Sequence, residues 1–72
     1  MIVSELPPLH KQLERQIHAR TGKRVRNLKI QCSSDEVTLS GDTTTYHVKQ
    51  LAQQGVLEIM PRIRLHNRIT VH

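Results

Sequence analysis

Phenylalanine and tryptophan are absent from this chain, and Tyr46 is its only aromatic residue. Single-stranded nucleic acids are held largely by stacking bases on aromatic rings. With that route closed, nucleic-acid binding would run through phosphates and carry little sequence preference. Cysteine occurs once, at Cys32, which excludes an intramolecular disulfide and with it the stapled scaffold of small secreted domains. No run of about 18 apolar residues occurs, so no membrane-spanning helix is expected. Residues 1–10 lack the basic start and apolar stretch of a signal peptide, and Pro7 and Pro8 interrupt their apolar character. As written the chain is expected in the cytoplasm, or in the periplasm if a leader has been trimmed from it.

Catalytic patterns are missing too. There is no nucleophile–base–acid arrangement, glycine-rich phosphate loop or carboxylate pair. The six acids, Glu5, Glu14, Asp35, Glu36, Asp42 and Glu58, fall mostly at turns and helix surfaces. The five histidines show no metal spacing. His10 and His18 lack a completing ligand, and His66 and His72 stand about 20 Å apart along a strand. The expectation is a non-enzyme with no metal, no cofactor and no catalytic residue.

What is present is positive charge on a small frame. Lysine and arginine number 11 against 6 acids, a formal charge of +5. This favours anionic partners such as phospholipid head groups, acidic proteins or nucleic acid, and it also serves solubility. Seventy-two residues make one domain, with its core over about residues 8–71, and the small core promises modest stability.

Periodicity supplies the element order. Leu9, Leu13 and Ile17 recur every four residues, with Leu6 able to extend the stripe, so a helix is expected over residues 8–21 with Gly22 as its stop. Alternation follows: Leu28, Ile30 and Cys32 on one side, Asn27, Lys29 and Gln31 on the other. On this pattern Cys32 is expected to be a small buried hydrophobe. A polar turn over residues 33–36 leads to Val37 and Leu39, making a hairpin that Gly41 and Asp42 terminate. Thr43, Thr44 and Thr45 provide a cap for a second helix. Its stripe is Val48, Leu51, Ala52, Gly55, Val56 and Ile59, and Gly55 is expected to bring the helix close to the sheet. Pro61 ends it. Ile63, Leu65, Asn67, Ile69 and Val71 alternate with polar residues in a third strand. One apolar face per element has one economical solution: an α/β (α+β) two-layer sandwich of order αββαβ, with both helices on one face of a three-stranded mixed sheet. The third strand is expected parallel to the second, or antiparallel to the first if it pairs there.

The run Val37-Thr38-Leu39-Ser40-Gly41, then Lys49 and Ala52, then Leu65-His66-Asn67-Arg68-Ile69-Thr70-Val71 resembles the BON family of bacterial modules. That family's pattern is V-x-L-x-G, a helix, then V-x-N-x-I-x-V, and the likeness spans roughly residues 8–71. The resemblance implies an αββαβ fold and a role in binding phospholipid surfaces or other envelope components without catalysis. Gly41 would carry the family's turn glycine and Asn67 its strand asparagine. Met60-Pro61-Arg62 departs from the glycine-containing turn that precedes the family's last strand.

Two candidate surfaces emerge. The sheet face away from the helices would display Lys29, Gln31, Thr38, Arg64, His66, Arg68, Thr70 and His72. Lys29, Arg64, His66 and Arg68 are the anion- or lipid-binding candidates, and three of them would converge if the first and third strands are neighbours. The same charges on a solvated face discourage sheet stacking. The outer side of the second helix carries Tyr46, Gln50, Gln53, Leu57 and Met60, a candidate interface for a protein partner or homodimer. Arg15, Arg20, Lys23, Arg24 and Arg26 form a basic run that suits either phosphates or the end of the first helix. The three threonines before the second helix could face an anion, although capping alone accounts for them. Gly41, Gly55 and Asn67 are read as structural, Asn67 satisfying a buried backbone group or turn.

Overall fold

The computed structural model describes residues 8–72; Leu6 and the rest of the lead-in lie outside the described residues. The elements are α1 (Leu9–Thr21), β1 (Arg26–Cys32), β2 (Glu36–Thr43), α2 (Tyr46–Ile59) and β3 (Arg64–Val71). This is the expected αββαβ order, with two helices and a three-stranded mixed sheet.

Helix α1 begins on Pro8, whose carbonyl accepts from the Lys11 and Gln12 N–H groups at 2.9 and 3.1 Å. It ends where Gly22 turns left-handed at φ 63°, and the Gly22 and Lys23 N–H groups both donate to the His18 carbonyl. These bonds satisfy carbonyl capacity that a helix end leaves open. Helix α2 is capped by Thr45, whose hydroxyl accepts from the Val48 N–H at 3.2 Å.

Strand β2 is central. It pairs antiparallel with β1 and parallel with β3. The parallel partner is therefore the one expected from the β–α–β crossover, and β1 and β3 are the two edges. Strand β2 runs on past Gly41 and Asp42 to Thr43, so Gly41 does not terminate it. Instead Gly41, at φ 151°, faces a bulge in β1 between Arg26 and Lys29, where Asn27 adopts φ 55°. One extra residue there shifts the alternation, so that Val25 and Leu28 both turn toward the helices.

The core comprises Leu13 and Ile17 of α1, Val25, Val37 and Leu39 of β2, Val48, Ala52 and Val56 of α2, and Ile69 of β3. Strand β1 adds only the partly buried Leu28 and Ile30. Cys32 departs from expectation: at the far end of this edge strand it is exposed, beyond the cover that its in-phase neighbours Leu28 and Ile30 receive. Nearby protein atoms nonetheless push its thiol pKa up, which lowers its nucleophilicity. Gly55 also has a different role. A side chain there would meet the Gln16 carbonyl of α1 at 3.4 Å, so the glycine serves the helix–helix crossing rather than an approach to the sheet. At that crossing Gln16 and Arg20 both donate to Glu58 of α2. Asn67, on the inward face of β3, donates to the Lys49 carbonyl at 2.9 Å and accepts from the Ile69 N–H at 3.2 Å. No described helix is long and apolar enough to cross a membrane.

A candidate anion-binding face

Pairing register dictates what the uncovered face presents. Because side chains alternate, the residues opposite Val37, Leu39 and Ile69 point away from the helices. Reading across the three strands, Lys29, Ser40 and Arg68 form one row, and Gln31, Thr38 and His66 the next. Glu36 stands beside Arg64, and Asp42 lies between Arg26 and Thr70.

The convergence anticipated for neighbouring first and third strands does not occur, because β2 separates them. Lys29 and Arg68 flank Ser40, with Cα atoms about 10 Å apart at ordinary strand spacing. Arg64 lies about 13 Å along β3 from Arg68. Neither Lys29, Arg64 nor Arg68 is in an ion pair with another described residue.

Two carboxylates that were not foreseen on this face come from β2, and each is met by a histidine of β3 or its end. His66 Nε2 is 2.6 Å from Glu36 Oε1. His72 Nε2 is 2.8 Å from Asp42 Oδ1, while Asn27 Nδ2 donates to Asp42 Oδ2 at 3.3 Å. These bonds, led by the one from His72, hold the Asp42 carboxyl below the usual carboxylate range. His66 is thus engaged by an acid rather than offered to a ligand. The bulge brings Arg26 onto the face, an addition legible in hindsight from Val25 standing three residues before Leu28 instead of two. The face carries the cations Arg26, Lys29, Arg64 and Arg68 against the carboxylates Glu36 and Asp42.

The outer side of α2 is less continuous than its sequence spacing suggests. Tyr46 is 63% exposed, and Gln50 and Gln53 face solvent. Leu57 is half-buried, and Met60 packs against the core as the residue that closes the helix. Met60 therefore leaves the interface candidates.

Among the described residues no three His, Cys, Asp or Glu side chains gather as a metal-holding group. No protein-family model, no curated protein and no solved structure matches this chain.

Proposed function

We propose that this chain is a non-catalytic binding module of BON-like character that docks on anionic phospholipid surfaces through its open sheet face. The observation that carries this reading is the row Lys29–Ser40–Arg68: two cations without acidic partners, held about 10 Å apart on a face that no helix covers. Arginine's planar fork suits phosphate oxygens, and a flat sheet suits a surface better than a deep-binding ligand. No aromatic side chain lies on the face, so docking proceeds by charge rather than insertion and weakens steeply with salt.

Sedimentation with phosphatidylglycerol vesicles at low salt tests this. Binding is expected to be lost on replacing Arg64 and Arg68 by Ser, and to be absent with neutral phosphatidylcholine. Unchanged sedimentation of the double variant, or binding indifferent to salt, refutes it. Duplex DNA in the same titration separates a nonspecific nucleic-acid binder, whose affinity would track phosphate contacts on any polyanion. A second reading, a protein partner or second copy on α2, has the exposed Tyr46 ring in its favour. It predicts association that is insensitive to salt.

A further inference from the structure

Strand β3 closes the sheet on the side away from β1, and its register with β2 settles which backbone groups face outward. The Arg64 N–H donates to the Asp35 carbonyl at 3.1 Å and the His72 N–H to the Thr43 carbonyl at 2.9 Å. The even-numbered residues between them therefore turn their backbone groups toward β2, and Leu65, Asn67, Ile69 and Val71 turn theirs to the free edge. Of those four N–H groups only that of Ile69 has a partner among the described residues, Asn67 Oδ1 at 3.2 Å. We propose that this edge pairs antiparallel with the same edge of a second copy, about a twofold axis at Asn67, to make one six-stranded sheet.

The two edges of the sheet are not alike. Strand β1 is broken by the bulge between Arg26 and Lys29, a device that blunts an edge. Strand β3 matches β2 over its whole length without irregularity and contains no proline, glycine or lysine. Charge then selects the register, because residues on the same face stand opposite one another in a twofold antiparallel pair. An axis at His66 sets Arg64 against Arg68, and an axis at Arg68 sets that residue against itself. An axis at Asn67 avoids both clashes. Arg64 then meets Thr70, and Arg68 meets His66, whose ring is bonded to Glu36. On the helix side the same register sets Leu65 against Ile69 and the half-buried Ile63 against Val71, which is 39% exposed in the single chain. The Leu65, Asn67 and Val71 N–H groups of each copy gain acceptors across the seam without breaking a bond within the chain.

Helix α2 extends the seam. It packs over β3 while α1 packs over β1. Gly55 faces α1, and Tyr46, Gln53 and Leu57 lie about 180–200° around the helix from it. They line the flank turned away from α1, above the free edge, where Asn67 is bonded to the Lys49 carbonyl. A twofold axis at Asn67 brings Tyr46 of each copy toward Leu57 of the other and covers the exposed ring. The open face with Lys29, Ser40 and Arg68 stays uncovered, so this pairing does not rest on vesicle docking.

Sedimentation equilibrium of the whole chain over a concentration series reads the association. A dimer is expected, and it should tighten as salt screens the +5 charge of each copy. Thr70 is exposed and stands opposite Arg64 of the second copy in this register. Thr70→Glu should tighten the dimer at least threefold, and Thr70→Arg should loosen it by as much. Gln54→Glu makes the same change of charge on α2 away from the seam and should give a much smaller gain. In a Cys32→Ser background, which removes the one native thiol, His66→Cys mixed with Arg68→Cys should link on air oxidation faster than either variant alone. A monomeric mass throughout, a dimer indifferent to both Thr70 variants, or preferential linking of His66→Cys to itself overturns the proposal. So does a dimer abolished by Tyr46→Ala but untouched by change at Thr70, which would belong to α2 alone.

Discussion

Gly41 of β2 lies directly against the Arg26 carbonyl of β1: a Cβ at Gly41 would sit 2.8 Å from that oxygen and 2.9 Å from Val25 Cγ1. Its φ of 151° is also one that side-chain-bearing residues rarely adopt. The bulge that turns both Val25 and Leu28 inward and Arg26 onto the open face thus depends on a missing side chain in the neighbouring strand. Gly41→Ala is expected to cost about 2–5 kcal/mol, combining backbone strain with a clash that backbone atoms cannot relieve. In a domain of this size the thermal midpoint should fall by at least about 10 °C. A midpoint within a few degrees of the parent would show that the bulge relaxes freely.

Gly55 presents the opposite case. Its would-be Cβ meets the Gln16 carbonyl at 3.4 Å and Arg20 Cγ at 3.5 Å, which is ordinary contact, and its backbone is helical. Alanine there gains up to about 1 kcal/mol of helix propensity. Gly55→Ala should therefore leave stability unchanged or raise it. Gly55→Leu should lower it by about 1–3 kcal/mol by forcing α1 and α2 apart. Urea unfolding of the two variants decides the matter, and a large loss with alanine would mean the crossing is tighter than its distances indicate.

The contrast between these glycines shows what was legible in the sequence. Both helices, the alternation of all three strands and the inward set Val37, Leu39 and Ile69 follow from period alone, because period is set by burial on one side. Partners across the fold do not. Gly55 was visible within the stripe of α2, but nothing local says whether α1 or the sheet lies against it. Cys32 keeps phase with Leu28 and Ile30, and its exposure depends on where the helices stop covering an edge strand. The same reason hid the engagement of Glu36 and Asp42 by His66 and His72, since those bonds exist only in one register of β2 against β3. The residues of the open face were therefore readable, but not its charge balance.

Asn67 interrupts an otherwise apolar inward face, and its amide joins β3 to α2 through the Lys49 carbonyl. Removing the side chain takes this donor from the Lys49 carbonyl and the acceptor from the Ile69 N–H together. Asn67→Ala is expected to cost about 1–3 kcal/mol. Asn67→Asp keeps an acceptor for the Ile69 N–H but turns a carboxylate oxygen toward the Lys49 carbonyl, so it should be no better than alanine above pH 5. Denaturant titrations of both variants test this, and full stability of the aspartate variant would contradict the bonding described.

The depressed pKa of Asp42 has a definite sign in folding. A carboxyl whose pKa is lower folded than unfolded contributes stability above its unfolded value near 3.9, and that contribution is lost as pH falls through the folded value. Urea midpoints measured from pH 6 downward should thus fall less steeply for Asp42→Asn than for the parent. His72→Ala removes the largest cause of the depression, so the Asp42 carboxyl should titrate closer to an ordinary aspartate when followed by NMR. An unmoved Asp42 titration in that variant would assign the shift to Asn27 instead.

Ser40 offers the sharpest test of the docking row, because it can be changed without touching either cation. It stands between Lys29 and Arg68 in the pairing register, on the open face of the central strand. Ser40→Asp places a carboxylate within reach of both side chains, and cross-strand pairs of opposite charge add only about 0.2–1 kcal/mol each. Stability should hold or rise slightly, while the cations become engaged within the sheet and attract phosphate less than in the parent, and the added carboxylate repels it. Sedimentation with phosphatidylglycerol vesicles at low salt is expected to fall by at least tenfold. Ser40→Asn, similar in size but uncharged, should dock like the parent. If the aspartate variant binds vesicles as well as the asparagine variant does, the row between β1 and β3 is not the surface that meets the lipid.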